Sequence, residues 1–174
     1  MRLTALFLAA GLAAATTASA ADAPAVATAE IKGADGKTIG TGTITEAPHG
    51  VLLKIEAKGL TPGWHGLHFH EKGDCGTPDF KSAGAHVHTT ATVVHGLLNP
   101  NGNDNGDLPN LYAAADGVAV TEVFSPLVSL KGAGGRPALL DADGLAIVIH
   151  ASPDDHTSQP IGGAGARSAC GVVK

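Results

Sequence analysis

In the stretch Val51-Leu52-Leu53-Lys54-Ile55-Glu56-Ala57-Lys58, the apolar Val51, Leu53, Ile55 and Ala57 alternate with Lys54, Glu56 and Lys58. Successive side chains of a strand point to opposite faces, so this period of two describes a half-buried strand. Upstream, Val26 to Lys32 and Thr38 to Thr45 read as two further strands, separated by the turns Gly33-Ala34-Asp35-Gly36 and Ala47-Pro48-His49-Gly50. Downstream, Gly63 to His70, Gly117 to Ser125, Leu145 to His150 and the short Ala169 to Val173 are strands as well. Two long stretches interrupt them, Glu71 to Leu111, rich in Gly, Asn, Asp, Pro and His, and Ser152 to Arg167. Loops of such length inside a compact domain are mostly functional. No helical period persists after residue 20. The pattern predicts an all-β chain: a Greek-key barrel or sandwich of about eight antiparallel strands whose two long loops build a site.

Composition agrees. The chain has 174 residues, 24 of them Gly, with 3% aromatic and 16% charged side chains. That length suits one domain able to bury its own core. A net charge of −5 without a basic stripe gives no footing for nucleic acid.

Residues 1–20 stand apart. One positive charge, Arg2, precedes an apolar run from Ala5 to Ala15, and Ala18-Ser19-Ala20 supplies small residues before a cut after Ala20. This reads as a secretory signal peptide, leaving residues 21–174 as a single exported domain. The apolar run falls short of the ~20 residues a membrane span needs, and no later segment is apolar enough, so no membrane is expected in the mature form. Export also sets the reading of Cys75 and Cys170, since a lone pair of thiols in an oxidising compartment is expected to join. In the loop-entropy account, a bridge closing so long a loop contributes about 4–5 kcal/mol.

The histidines are unevenly placed. Of nine, six are His65, His68, His70, His86, His88 and His95, and His150 ends a later strand. His68 and His70, two apart on a strand, share one face, where two imidazoles can reach one ion. A lone His is usually a core or surface residue. A His-x-His pair followed by His86, His95, Asp107 and a strand-terminal His150 is a metal-ligand pattern. Imidazole-rich sites suit copper and zinc once both cysteines are bridged.

These residues resemble the copper–zinc superoxide dismutases, in particular the bacterial secreted branch. The run Gly63-Trp64-His65-Gly66-Leu67-His68-Phe69-His70 is similar to that family's Gly-x-His-Gly-x-His-x-His signature. Gly73-Asp74-Cys75, Ser82-Ala83-Gly84-Ala85-His86, Gly106-Asp107-Leu108-Pro109-Asn110-Leu111 and Gly162 to Gly171 follow in order. The resemblance implies dismutation of superoxide to O₂ and H₂O₂ by a redox-cycling copper, in the periplasm. It makes His68, His70, His86 and His150 the copper ligands, with His86 also bridging to zinc and delivering a proton. His95 and Asp107 match zinc ligands. Asp154 matches a carboxylate that hydrogen-bonds one ligand His of each metal, His70 or His68 on one side and His95 on the other. His65 matches a structural His, Arg167 the arginine that holds the substrate anion, and Cys75–Cys170 the family's bridge. A homodimer is an assembly found among such relatives.

The chain departs from the pattern at Asp104, where the family places a third zinc His, and at His88, where Asn or Asp is usual. The zinc set becomes His86, His95, Asp104 and Asp107, with two carboxylates, and the expectation is zinc held weakly or not at all. The long loop Ser152 to Arg167 argues against a copper-only relative. Lys72 and Lys81 are either steering charges for a small anion or plain surface lysines. His49 and His156 read as surface or loop histidines, and Trp64 and Tyr112 as packing or interface residues. Two other classes fit less well. A non-enzymatic periplasmic copper-binding or buffering protein needs neither Arg167 nor a bridging His86. A zinc hydrolase lacks its completing Glu or Asp with His.

Overall fold

The computed structural model describes residues 23–174, so the signal-peptide reading of residues 1–20 lies outside the described residues. Nine strands follow in order: β1 (Val26–Gly33), β2 (Thr38–Ala47), β3 (Gly50–Ala57), β4 (Gly63–His65), β5 (Leu67–His70), β6 (Leu111–Ala113), β7 (Ala119–Ser125), β8 (Leu145–His150) and β9 (Arg167–Val173). Among the described residues the only helical pieces are two single 3₁₀ turns, Lys81–Ala83 and Ala133–Gly135. Among the described residues no helix is long and apolar enough to cross a membrane.

Seven strands form one curled antiparallel sheet in the order β5-β8-β9-β1-β2-β3-β7. β4 and β6 pair separately. β6 runs beside β7, and β4 leads through Gly66 into β5, so this ribbon spans the gap between the two edge strands and closes the barrel. The alternation in β3 is realised: Val51, Leu53, Ile55 and Ala57 face the core while Lys54 and Glu56 are exposed.

Two expectations are corrected. The strand predicted over Gly63–His70 is broken at Gly66, whose N–H donates to the Ser152 carbonyl at 2.8 Å and whose carbonyl accepts the His150 N–H at 2.8 Å. A Cβ at Gly66 would come within 2.7 Å of the Ala164 Cβ, so only glycine lets the chain change sheets there. The long loop runs to Asn110, one residue short of its expected end, and Leu111–Ala113 forms a strand the pattern does not show, β6, with Leu111 and Ala113 buried and Tyr112 exposed.

β8 is buried at all six positions. Leu145, Ile147 and Ile149 join the barrel core with Ile31, Ile44, Leu53, Leu67 and Phe69. Ala146 and Val148, on the opposite face, pack with Phe80, Ala83 and Cys170 in a smaller cluster beneath the long loop. The Cys75–Cys170 disulfide, spanning 95 residues, staples that loop to β9. His68 and His70 alternate with the core residues Leu67 and Phe69, so they lie on this outer, loop-covered face of the barrel. The site is therefore built between sheet and loop, outside the barrel core.

Replacing the fully buried Leu53 by Ala is expected to cost about 2–5 kcal/mol, read from urea unfolding of the metal-free protein. Leu98→Ala, at a position 71% exposed, should stay within about 0.5 kcal/mol. Equal losses would contradict this assignment of the core.

Candidate metal centre

β5 is an edge strand, and its free edge is met by the loop rather than by another strand. Isolated antiparallel bridges place His86 opposite His70 and Asp107 opposite His68. The Phe69 N–H donates to the Gly106 carbonyl at 2.9 Å, and the Val87 N–H to the Phe69 carbonyl at 2.9 Å. On β5's other side β8 carries His150, which lies opposite Arg167 across the β8–β9 ladder. Two strand ends and one loop thus deliver His68, His70, His86 and His150 to a single place, all buried, with ligand atoms within 4.8 Å of one another.

Each ring in this group has one nitrogen fixed by the protein and one left bare. His70 Nδ1 donates to the Gly84 carbonyl at 3.1 Å, and His150 Nδ1 to the Gly165 carbonyl at 3.1 Å. His68 Nε2 meets Asp154 Oδ2 at 2.9 Å, and His86 Nδ1 meets Asp104 Oδ2 at 2.8 Å. The remaining nitrogens, His68 Nδ1, His70 Nε2, His86 Nε2 and His150 Nε2, are buried without any hydrogen-bond partner. Partners on the far nitrogen fix tautomer and ring orientation. Four converging bare imidazole nitrogens are the donor set a copper ion takes, so the residues fit that ion.

Beside this set lies a second. His86, His95 and Asp107 come together with His68, again within 4.8 Å. Asp104 stands just outside that mutual grouping, yet its Oδ2 lies 2.8 Å from His86 Nδ1 and 3.7 Å from His95 Nδ1. Asp107 Oδ1 is 2.7 Å from His95 Nδ1 and 3.5 Å from His86 Nδ1. The other oxygen of each carboxylate is anchored on backbone, Asp104 Oδ1 on the Gly106 N–H at 3.1 Å and Asp107 Oδ2 on the Gly96 N–H at 2.7 Å. Because His68 already points one nitrogen at Asp154 and the other into the first set, the donors available here are two imidazole nitrogens and two carboxylate oxygens. That set fits zinc.

Asp154 links the sets, with Oδ2 on His68 and Oδ1 at 3.1 Å from His95 Nε2. Of the alternatives on the copper side, the partner is His68. Arg167 donates through both terminal nitrogens, to the Phe80 and Gly84 carbonyls at 2.6 Å each. The Gly84 carbonyl also accepts from His70, so the guanidinium sits one peptide group from that ring. His65 holds the scaffold, its ring nitrogens lying 2.6 Å from the His150 carbonyl and 2.7 Å from that of Thr61.

His88 Nδ1 turns to the His86 carbonyl at 2.8 Å and joins neither set. Lys81 pairs with Asp79 at 2.8 Å, which offsets its charge locally. His49 and Lys72 are exposed. Trp64 and Tyr112 pair edge-to-face with ring centroids 4.9 Å apart, and both remain exposed. His156 lies in the loop, half-buried against Asp154; its backbone N–H donates to Asp154 Oδ1 at 2.6 Å. Asn110 and Gln159 also support the site unannounced: Asn110 bonds the Asp154 backbone twice, and Gln159 grips both backbone groups of His95 at 2.9 and 2.8 Å.

Residues 38–173 match the family model described as copper/zinc superoxide dismutase (SODC). The chain belongs to the copper/zinc superoxide dismutase family. It is 78% identical over 148 residues to the superoxide dismutase [Cu-Zn] of Caulobacter vibrioides, covering 85% of each chain. It is 44% identical over 147 residues to superoxide dismutase [Cu-Zn] 2 of Aquifex aeolicus, covering 84% of this chain and 85% of the relative. Of solved structures, the Cu/Zn superoxide dismutase from Brucella abortus aligns with a TM-score of 0.69 at 34% identity, over 86% of this chain and 100% of that one. A SOD-like protein from Bacillus subtilis aligns at 0.77 and 39% identity, over 83% of this chain and 96% of the other.

The two sets of a copper/zinc dismutase differ in electrostatics here. Burial holds His68 down to about 4 despite its bond to Asp154. Burial, with like charge nearby, depresses His70 to about 2 and His150 to about 3. These rings are neutral at physiological pH, as metal ligands must be. Burial alone would also depress His95, but Asp104, Asp107 and Asp154 outweigh it and raise the ring to about 11. A depressed His makes the fold less stable as pH falls below the ordinary value of 6.5 toward its folded pKa. A raised His contributes stability that is complete below 6.5 and is lost as pH climbs toward 11. The urea midpoint of the metal-free protein should therefore peak near neutrality and fall at about pH 4.5 and about pH 10. A midpoint rising steadily from neutral to alkaline pH would contradict this charge assignment.

Proposed function

We propose that this chain disproportionates superoxide to O₂ and H₂O₂ at copper held by His68, His70, His86 and His150, with zinc at the neighbouring set. The observation that carries the reading is the convergence of four buried, unpartnered imidazole nitrogens. When bound, copper supplies a centre that takes one electron from one superoxide and gives one to the next. The protein's own groups do the rest. His68, His70 and His150 keep their bare nitrogens aimed by the bonds that Asp154, Gly84 and Gly165 accept from the far side of each ring. Arg167 orients the incoming anion, its guanidinium fixed beforehand by the Phe80 and Gly84 carbonyls so that little reorganisation is needed. The chain as a whole is acidic, so this cation must make a local field opposite to the global one. His86 holds a proton at Nε2 whenever that atom has no other partner, and it passes the proton to the reduced oxygen. An imidazole suits that role because its unperturbed pKa lies near neutrality.

The zinc set is His86, His95, Asp104 and Asp107. With a carboxylate where relatives of this pattern carry an imidazole, zinc is held less tightly than by three imidazoles and one carboxylate. Residues 21–174 act as one dismutase domain in the periplasm after removal of residues 1–20. The Cys75–Cys170 bridge supports export, since disulfides persist in oxidising compartments. A copper buffer of the same ligand set is disfavoured by Arg167, which binds no ligand ring and has its use in holding an anion.

Copper-loaded protein should dismute superoxide, and Arg167→Ala should lower the rate about 10-fold while copper content stays at one per chain. Full copper loading without dismutation would leave the buffer as the better reading. In competition with a chelator, Asp104→His should retain zinc more tightly than the natural chain. Equal retention would put this carboxylate on a par with an imidazole and remove the weak-zinc proposal.

A further inference from the structure

Asp154 reaches His68 and His95 with different oxygens, so its orientation sets both rings at once. Two residues that belong to neither set fix that orientation. Asn110 donates from Nδ2 to the Asp154 carbonyl at 2.8 Å and accepts the Asp154 N–H on Oδ1 at 2.9 Å. His156 has a φ of +60°, in the left-handed region that residues with side chains enter only at a cost. In that conformation its backbone N–H reaches Asp154 Oδ1 at 2.6 Å, while its ring folds back over the same carboxylate. Ring Nε2 accepts from Asn110 Nδ2 at 3.3 Å, which leaves the ring proton on Nδ1. Nδ1 is buried, has no hydrogen-bond partner, and lies 3.4 Å from Asp154 Oδ2. Gly162, at φ +58°, closes the remaining side, where a Cβ would collide with Asp154 Oδ1.

We propose that Asn110 and His156 are positioning residues which together hold the Asp154 carboxylate in the one orientation that serves both metal sets. The inference rests on the proposed dismutase reading for its purpose, but the clamp is a property of the folded chain. Asn110 locks the backbone of Asp154 from the loop that follows Asp107. His156 locks the carboxylate from the far side, and its left-handed backbone is the strain that aims its N–H. The segment carrying Asp154 is thereby tied to the segment carrying Asp104 and Asp107 without any ion between them.

The test begins in the metal-free protein. The His68 and His95 ring protons that face Asp154 should appear in proton NMR as protected downfield signals. In Asn110→Leu and in His156→Gly these protons should exchange at least 10-fold faster, with the copper-loaded proteins showing an altered Cu(II) resonance spectrum. Glycine relaxes the left-handed backbone at 156 while removing the ring, so His156→Gly keeps the test alive if Asn110→Leu fails to fold. The same substitutions in an Asp154→Ala background should leave the Cu(II) spectrum where Asp154→Ala alone puts it, because the clamp acts only through that carboxylate. Exchange rates within twofold of the natural chain, or spectral shifts of equal size in both backgrounds, would overturn the proposal. Absence of dismutation in the natural chain would overturn the functional reading while leaving the protected ring protons in place, so the two failures are distinguishable.

Discussion

Four imidazole nitrogens point at one another across a space from which the protein withholds every hydrogen-bond partner. Leaving a buried polar atom unpaired costs about 1–3 kcal/mol. A fold that keeps such an arrangement needs stabilisation elsewhere and a ligand that relieves it. The far nitrogen of every ring is bonded, so the rings cannot turn away to find water or a carbonyl. The unmet demand is therefore built in by the scaffold.

That scaffold places the demand outside the barrel core. β8 has apolar residues on both faces, Leu145, Ile147 and Ile149 inward and Ala146 and Val148 outward. The outward pair needs cover, and Phe80, Ala83 and the disulfide-tethered loop supply it. Once the loop is seated, His86 is carried to the free edge of β5 and Arg167 finds the Phe80 and Gly84 carbonyls. Apolar packing and the covalent staple thus place Arg167 and His86, and the four-imidazole cluster is completed as a consequence.

Much of this was legible in the sequence because it depends on local period. The two-residue alternation of β3 and the His68–His70 pair are read directly from spacing, and the full apolar run of β8 is what a strand covered on both sides must show. The break at Gly66 escaped because either glycine or continuous strand suits that position locally. Only the approach of Ala164, a distant residue, decides it. β6 escaped because three residues carry too little pattern. Asn110, His156 and Gln159 were illegible for a different reason. Their function lies in how side-chain amides and one left-handed backbone meet residues 44, 2 and 64 positions away. Among these, only the left-handed φ leaves a physical trace of its own, and that trace is conformational.

Asp104 shows how one carboxylate shifts the balance of charge in its set. Its carboxylate reaches His86 Nδ1, with its second oxygen anchored on Gly106. Yet three carboxylates now surround His95, and the ring responds by holding its proton far above the ordinary range. Any cation entering that set competes with this proton, and ligand affinity becomes a contest between two positive charges for the same oxygens and nitrogen. In the four-imidazole set, burial keeps His68, His70 and His150 neutral, whereas Asp104 and Asp107 raise His86 above its ordinary value. His86 therefore has three neutral rings on one side and two carboxylates on the other, and its own proton answers to the carboxylates.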